Sequence, residues 1–331
     1  MDCSTFDSLL QDALHLEGLC IKHGVEFVGI GPTIDPHIIE WIPKLIAGTK
    51  YIFCSFATPH NMELTLALEL GAAILDVAAL TGGIGSFRFA VLSNMQHGCP
   101  FYPAAYHPGD VDEPLFGLAT ENTPILRQAM EASQGSLELA TKMLTTYLQR
   151  AFDPVLQIAE ALGTVTVETK SGATQDQHPR FLGIDASVAP GPGTPTITGS
   201  YELLGLGRFG DPGTLAVTSA ITSALKLLSV PLIGYSGLML PVCEDKGLAQ
   251  RADEGVYTMG DLIKYSAVCG CGLDTVPISG STTRPASLPH PSGALSTLRQ
   301  RLSYTDPPSM DADKEPLLTP PPCGASIPHG E

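Results

Sequence analysis

The chain has 331 residues and 44% of them are hydrophobic, which is enough to bury the core of one large domain or two smaller ones. Its 18 Lys and Arg residues against 34 Asp and Glu residues give a formal net charge of −16, which argues against a nucleic-acid partner and against a polybasic membrane-binding surface. The eight cysteines have no disulfide-framework spacing and follow no signal-peptide pattern, so we expect reduced thiols in a cytoplasmic protein.

Helices and strands are predicted to alternate through the first part of the chain. Apolar residues at helical spacing predict helices, and short apolar runs between turn residues predict strands. Charged residues such as Glu69 and Asp76 interrupt the longest apolar stretches, so no membrane span is expected. The predicted helices cover residues 4–23, 35–47 and 61–81, and the predicted strands cover residues 25–30, 51–57, 87–92 and 113–119.

The alternation continues in the second part of the chain. A long helical region over 123–162 is expected to break near Pro154, because proline lacks a backbone donor and restricts the residue before it. Strands are predicted over 164–169 and 181–188, a short helix near Tyr201, and helices over 213–228 and from Lys246 onward. Repeated βα units predict an α/β fold whose parallel sheet is either open or closed into a barrel.

The composition changes at about residue 283. Residues 284–331 are rich in proline and polar residues and have too few large apolar side chains to repay the entropy of ordering. We therefore predict an α/β barrel-like domain over 1–283 and a disordered tail over 284–331.

Four ordered sequence blocks carry a resemblance to a known family. They are FLGIDASVAPGPG (181–193), GDPGTLAVTSAIT (210–222), YSGLMLPVCEDKGL (235–248) and SAVCGCGLDTVPISGST (266–282), with weaker similarity over 54–64 and 93–107. On these blocks the chain resembles uncharacterised protein family 0210, also called domain of unknown function family 711. Members of this family look structurally like the α/β barrels of pyruvate formate-lyase and related glycyl-radical enzymes, so the resemblance implies such a barrel, complete or incomplete. Radical chemistry is not expected, because the Arg-Val-x-Gly-aromatic signature and the adjacent Cys-Cys pair are absent.

Five residues are candidates for catalysis: Asp185, Glu244, Asp245, Cys269 and Asp274. Asp185 lies within an apolar predicted strand, where a carboxylate needs a partner. The two acids after the strand-like GLMLPV would lie at the carboxyl end of a strand, where ligand sites collect in parallel α/β folds. The alternatives are that Asp245 caps the next helix while Glu244 lies in solvent. Cys269 and Cys271, expected on one side of an extended segment, are a nucleophile, a redox pair, half of a metal site, or inert buried thiols.

Five further residues are candidates for ligand binding: His60, Asn94, His107, Ser236 and Gly237. The two histidines follow predicted strands, and histidine both titrates near neutral pH and ligates metals. A surface or packing role is the alternative for each of them. The glycine-rich runs at 29–32 and 82–86 do not complete a phosphate-binding motif and predict turns. The sequence identifies neither a metal nor a cofactor.

The sequence is compatible with two functions. The first is a cytosolic enzyme that acts on a small polar metabolite by non-radical acid/base or metal-assisted chemistry. The second is a non-catalytic binding or scaffold protein derived from a truncated barrel enzyme. A homo-oligomer is compatible with both, because an incomplete barrel would leave strand edges and apolar surface to cover.

Overall fold

A computed structural model describes residues 5–279 apart from Asn94, Asp110, Asp112, 163–164, 169–171, Ala173, Gly270 and Thr275. The predicted tail over 284–331 therefore lies outside the described residues. The described chain is mixed α/β, and its residues fall into two compact units. Unit 1 contains Met1–Ala119, Asp153–Asp185 and Val230–Tyr235, and unit 2 contains Thr120–Phe152, Ala186–Ser229 and the residues from Ser236 onward.

Unit 1 contains a parallel three-stranded sheet in the order β1-β2-β3. Its helices pack on this sheet through an apolar core that includes Leu9, Ile46, Phe56, Leu70 and Val77. The parallel direction follows from the helices between consecutive strands, which return the chain to the same end of the sheet. The elements are α1 (Phe6–Lys22), β1 (Val28–Thr33), α2 (Ile42–Gly48), β2 (Ile52–Thr58), α3 (Leu64–Thr81) and β3 (Phe89–Ser93).

Helix α3 is long and apolar enough to cross a membrane by length and composition, and it is the one such helix among the described residues. Core helices of soluble proteins pass the same test. Leu70, Ala73 and Val77 of α3 do pack in the core of unit 1, while Ile74 and Leu80 are exposed. The expected absence of membrane contact therefore stays a prediction.

Two further strand pairs complete unit 1. β4 (Leu115–Ala119) pairs with β7 (Arg180–Asp185) in parallel, and β5 (Val165–Glu168) pairs with β6 (Thr174–Gln177) in antiparallel. Ile184 of β7 also forms a parallel bridge with Leu232.

The predicted barrel is not found among the described residues, because their strands form separate small sheets that do not close. The segment SGLMLPV (236–242) shows one physical reason. Ser236 and Leu240 have φ of +41° and +54°, and a left-handed backbone at both positions cannot continue a strand ladder. The prediction of a strand before Glu244 is therefore wrong, whereas the mixed α/β class is confirmed.

Unit 2 is helical in its regular structure. Phe209 lies at its centre and packs edge-on against the rings of Tyr201, Tyr257 and Tyr265. The elements are α4 (Thr123–Ala132), α5 (Leu137–Glu160), α6 (Ile197–Glu202), α7 (Thr214–Lys226), α8 (Lys246–Asp253) and α9 (Met259–Cys269), and the last turns of α5 belong to unit 1.

The break in the long predicted helix lies elsewhere than expected. Helix α5 continues through Pro154 to Glu160, and the interruption comes at 133–136, where Gln134 and Gly135 have φ of +51° and +85°. Two consecutive left-handed residues end a helix more effectively than one proline, which removes a single hydrogen bond.

Candidate functional site

Nine of the ten candidate residues lie among the described residues, and they fall in both units. His60, His107 and Asp185 belong to unit 1, and Asn94 lies outside the described residues. Six candidates belong to unit 2: Ser236, Gly237, Glu244, Asp245, Cys269 and Asp274.

Asp185 is fully buried at the end of β7 in unit 1. Its Oδ2 accepts a hydrogen bond of 2.7 Å from the backbone N–H of Tyr235. The adjacent Gly234 must lack a side chain, because a Cβ there would collide with this carboxylate. Burial, together with the charge of Asp185, raises the pKa of the neighbouring Cys99 thiol to about 12. Asp185 therefore lies in a buried polar site with a protonated thiol beside it.

The two histidine candidates lie in exposed loops of unit 1. Nδ1 of His107 accepts a hydrogen bond of 3.1 Å from the backbone N–H of Gly109, and its Nε2 lies 3.5 Å from the carbonyl oxygen of Glu113. These contacts orient the ring of His107 within its own loop. A ligand-binding role for His60 and His107 stays a prediction.

Asp245 caps helix α8, which agrees with the predicted alternative to a catalytic role. Its Oδ1 accepts a hydrogen bond of 2.9 Å from the N–H of Leu248, and its Oδ2 accepts one of 2.6 Å from the N–H of Ile197. The side chain is buried, and burial raises its pKa although these backbone hydrogen bonds oppose the rise. Asp245 thus joins the start of α8 to the start of α6, which is a structural task.

Glu244 lies within electrostatic reach of Asp274 and Glu121 in unit 2, and these three residues are called here the carboxylate cluster. Glu244 is exposed at a turn, where its N–H bonds the carbonyl oxygen of Pro241 at 3.1 Å. Protein packed around Glu244 raises its pKa to about 7, and the charges of Asp274 and Glu121 contribute to the rise. No ion pair of Glu244 or Glu121 with a basic side chain is found among the described residues.

The backbone fixes the other two members of the carboxylate cluster. The N–H of Asp274 donates a 3.0 Å hydrogen bond to the carbonyl oxygen of Met239. Glu121 forms an isolated antiparallel bridge with Val188, and its carboxylate lies against Gly191, where any Cβ would collide with it. Glu244 therefore interacts in unit 2 with two acids from distant parts of the sequence.

Cys269 and Cys271 lie beside the backbone of Gly237, and we call them the dithiol. A Cβ on Gly237 would stand 2.9 Å from Sγ of Cys269 and would collide with Sγ of Cys271. Sγ of Cys269 also accepts a hydrogen bond of 3.1 Å from the N–H of Leu238. The hydrogen bond from Cys271 lowers the pKa of Cys269, and the N–H of Leu238 and the charge of Lys226 lower it further against the effect of burial.

Cys269 is the last residue of α9, so the prediction that both thiols lie on an extended segment is wrong for it. The glycines next to the two cysteines favour an extended segment when only the sequence is considered. The preceding residues Leu262 and Tyr265 bury a helical face instead, and this face carries Cys269 into the core of unit 2.

The segment 236–240 holds the dithiol in place. Ala186 N–H donates a 3.2 Å hydrogen bond to Oγ of Ser236, and Gly237 N–H donates one of 3.2 Å to Oγ of Ser187. The carbonyl oxygen of Gly237 accepts a third from Val188 N–H at 3.0 Å. These bonds compensate for the left-handed backbone at Ser236, a conformation that costs on the order of 1–3 kcal/mol outside glycine.

Comparison with known proteins supports the family resemblance carried by the four sequence blocks. The family model described as Uncharacterised ACR (DUF711) matches residues 2–287. The chain belongs to the DUF711 family. It is similar to UPF0210 proteins from Pyrobaculum islandicum, at 28% identity over 292 residues, and from Syntrophobacter fumaroxidans, at 26% identity over 295 residues. Each alignment covers 83% of this chain but only 62% and 63% of the two relatives, so the chain spans less than two thirds of their length.

The predicted family is thus confirmed, while the likeness of DUF711 to glycyl-radical enzymes stays a prediction.

Two contributors to the site of this DUF711 chain were missed in the sequence, namely Glu121 and Lys226. Glu121 follows the predicted strand over 113–119, and its position at a strand end is the signal that would have selected it. In the part of the chain that the structure describes, no group of three or more His, Cys, Asp or Glu residues is arranged to hold a metal ion.

Proposed function

We propose that the protein is an enzyme that transfers protons to and from a small polar metabolite, with Glu244 as the general acid and base. The observation that supports this role is an accessible carboxyl group beside two other carboxylates, with a pKa raised to about 7. At neutral pH such a group is present in both protonation states, so it can take up a proton and release it at comparable rates.

The neighbours of Glu244 suggest the class of ligand. The charges of Glu121 and Asp274 would repel an anionic group, so the reacting part of the substrate should be neutral or cationic. Ser236 and Gly237 belong to the segment beside the dithiol and remain proposed ligand contacts. We assign no metal or cofactor to the reaction. An incomplete α/β barrel remains the proposed finer fold, supported by the parallel strand pairs of unit 1.

A non-catalytic binding protein is the alternative proposal. It is favoured by the environments of Asp185 and Asp245, since both carboxylates accept hydrogen bonds from their own backbone surroundings. In that case the carboxylate cluster would bind a ligand without changing it.

A paired stability and turnover screen separates these functions. The wild-type protein, Glu244→Gln and the exposed control Glu138→Gln would be screened against neutral and cationic metabolites, namely sugars, polyols, amino acids and amines. A compound that binds the folded state raises the melting temperature by mass action. We expect at least one such compound to be converted by the wild type and by Glu138→Gln, and conversion by Glu244→Gln to fall about 100-fold or more.

Two results would count against the enzyme. Equal conversion by Glu244→Gln and the wild type would remove Glu244 from the mechanism. Stabilisation of all three proteins by one compound that none of them converts would support the binding protein instead.

A further inference from the structure

The dithiol differs from the other cysteines for which the structure shows a pKa effect. Burial raises the pKa of Cys54 and Cys99 to about 12. Partial desolvation by the surrounding protein, followed by the charges of Asp274 and Glu244, raises the pKa of Cys243, although this residue is exposed at the surface. A raised pKa leaves a thiol protonated and unreactive at neutral pH. Among these cysteines only Cys269 has a lowered pKa, because its contacts that favour the thiolate outweigh the effect of burial.

The two sulfurs differ in their exposure to solvent but lie next to the same backbone. Cys271 is half-buried and reachable from solvent, whereas Cys269 is only 6% exposed. Both sulfurs lie next to the same Gly237 backbone, and the two residues are separated by one position in the sequence. Two residues extend at most ~7 Å, so the Cα separation is compatible with that of known disulfides.

We propose that Cys269 and Cys271 are a redox-active pair that low-molecular-weight disulfides, such as glutathione disulfide, oxidise to an intramolecular disulfide. Cys271 is the sulfur that the small disulfide reaches first. Cys269 is the resolving sulfur, and the N–H of Leu238 stabilises its thiolate in the second step. This chemistry is independent of the acid and base role of Glu244.

The reaction balances without a further reactant. The pair begins with one proton shared between two sulfurs, and the proton passes to Cys269 when Cys271 attacks one sulfur of glutathione disulfide. The bond of the small disulfide breaks, one glutathione thiolate leaves with the proton of Cys269, and a mixed disulfide remains on Cys271. Cys269 then attacks the Cys271 sulfur and displaces the second glutathione thiolate, which takes a proton from water. Two electrons from the protein thiols have reduced one disulfide to two thiols.

Because Gly237 has no side chain, both sulfurs can lie against the same stretch of backbone. A methyl group there would overlap Sγ of Cys271 and press on Sγ of Cys269. The change Gly237→Ala should therefore displace the sulfurs without removing either thiol. Misplacement of reacting atoms by about 1 Å can slow a reaction roughly 100-fold. We therefore expect closure of the ring, which is the formation of the Cys269–Cys271 disulfide from the mixed disulfide, to slow by about 10-fold to 100-fold.

The test is oxidation of the full-length protein in glutathione buffers of defined redox ratio, followed by alkylation and peptide mass spectrometry. Trypsin should release residues 265–299 as one peptide, since Arg284 precedes a proline, and this peptide contains Cys269 and Cys271 but no other cysteine. We expect it to lose two hydrogen atoms and both alkylation sites. Cys271→Ser should abolish this product, and Cys269→Ser should retain glutathione on Cys271.

Matched controls show whether the geometry matters. Cys243→Ser removes an exposed thiol of the same unit and should leave the oxidation unchanged. Gly260→Ala adds a methyl group at a helical position where the nearest atom lies 3.5 Å away, and it should oxidise at the wild-type rate. Two stable glutathione adducts in the wild type, no oxidation at all, or unchanged ring closure in Gly237→Ala would each overturn the proposal. If Gly237→Ala does not fold, the two serine variants still decide it.

Discussion

Glu244 links the protonation of the carboxylate cluster to the folding free energy. Its pKa in the folded protein is about 7 against an ordinary value of 4.5, so the folded state binds the proton more tightly than the unfolded state. This contribution to stability is complete below about pH 4.5. It is lost as the pH rises through about 7, where the folded protein must also release the proton.

The first prediction is a pH-dependent difference between the wild type and Glu244→Gln. Between pH 5 and pH 8 the free energy of unfolding of the wild type should fall by about 1 kcal/mol more than that of Glu244→Gln, because solvent screens part of the repulsion at this exposed side chain. Urea titrations at a series of pH values measure the difference.

The exposed control Glu138→Gln should follow the wild type across the same pH range. Asp274→Asn should show a smaller pH effect than the wild type, because it removes one of the charges that raise the pKa of Glu244. Parallel curves for the wild type and Glu244→Gln would contradict the raised pKa.

Individual residues of the site could be predicted only where a local rule applies. Asp245 has the position of a helix cap, and both its polar contacts and its burial agree with that rule. The proximity of Glu121 to Glu244 follows from contacts between segments more than a hundred positions apart, which no local pattern encodes. Cys269 shows the opposite error, since glycines around it suggested an extended chain while helix α9 extends to it.

Glycines within helices and strands affect stability in two ways: through the conformational preference of glycine and through the space available for a side chain. Gly18 of α1 and Gly71 of α3 have no atoms within 4 Å of an added Cβ. Gly183 of β7 has φ of +147°, and an added Cβ would collide with the carbonyl oxygen of Pro231 and stand 3.0 Å from Cγ2 of Ile233. Gly18 and Gly71 therefore destabilise their helices relative to alanine, whereas Gly183 is needed because its neighbours leave no room for a side chain.

The second prediction compares these positions. Gly18→Ala and Gly71→Ala should each raise the free energy of unfolding by about 0.5–1 kcal/mol, since alanine restricts the unfolded chain and favours the helix. Gly183→Ala should lower it by about 2 kcal/mol or more, because backbone atoms must move and the pairing of Ile184 with Leu232 is disturbed. Chemical denaturation of the three variants measures both signs, and stabilisation by Gly183→Ala would show that β7 tolerates the added methyl group.

Elements bounded by strong local signals could be predicted from the sequence. Helix α1 ends near Gly24, and α3 ends at Gly82 with φ of +63°, as glycine at helix ends suggests. The apolar run over 237–242 predicts a strand, and this prediction is wrong because the residues pack in irregular backbone that is held by hydrogen bonds to 186–188. Apolar content indicates burial, but it does not specify the dihedral angles of the buried segment.

At the scale of the whole molecule, charge is the property that the sequence determines directly. The formal net charge is −16, so acidic side chains repel one another on average in the folded protein. Several of the ion pairs among the described residues are largely exposed, such as Arg127 with Glu131 and Arg180 with Glu113. Exposed pairs contribute little stability, and salt weakens them together with the repulsion.

The third prediction is that salt stabilises the protein. Raising NaCl from about 20 mM to about 500 mM shortens the screening length from roughly 20 Å to roughly 4 Å. Because repulsion extends over longer distances than the ion pairs, we expect a net gain of about 1 kcal/mol and a rise in melting temperature of about 2–4 °C. KCl should give the same rise, since screening depends on ionic strength and not on the identity of the ion. MgCl2 at matched ionic strength should do so as well if the carboxylate cluster holds no divalent cation. A larger rise with MgCl2 alone would indicate a cation site, and a fall in melting temperature with every salt would show that ion pairs outweigh the repulsion.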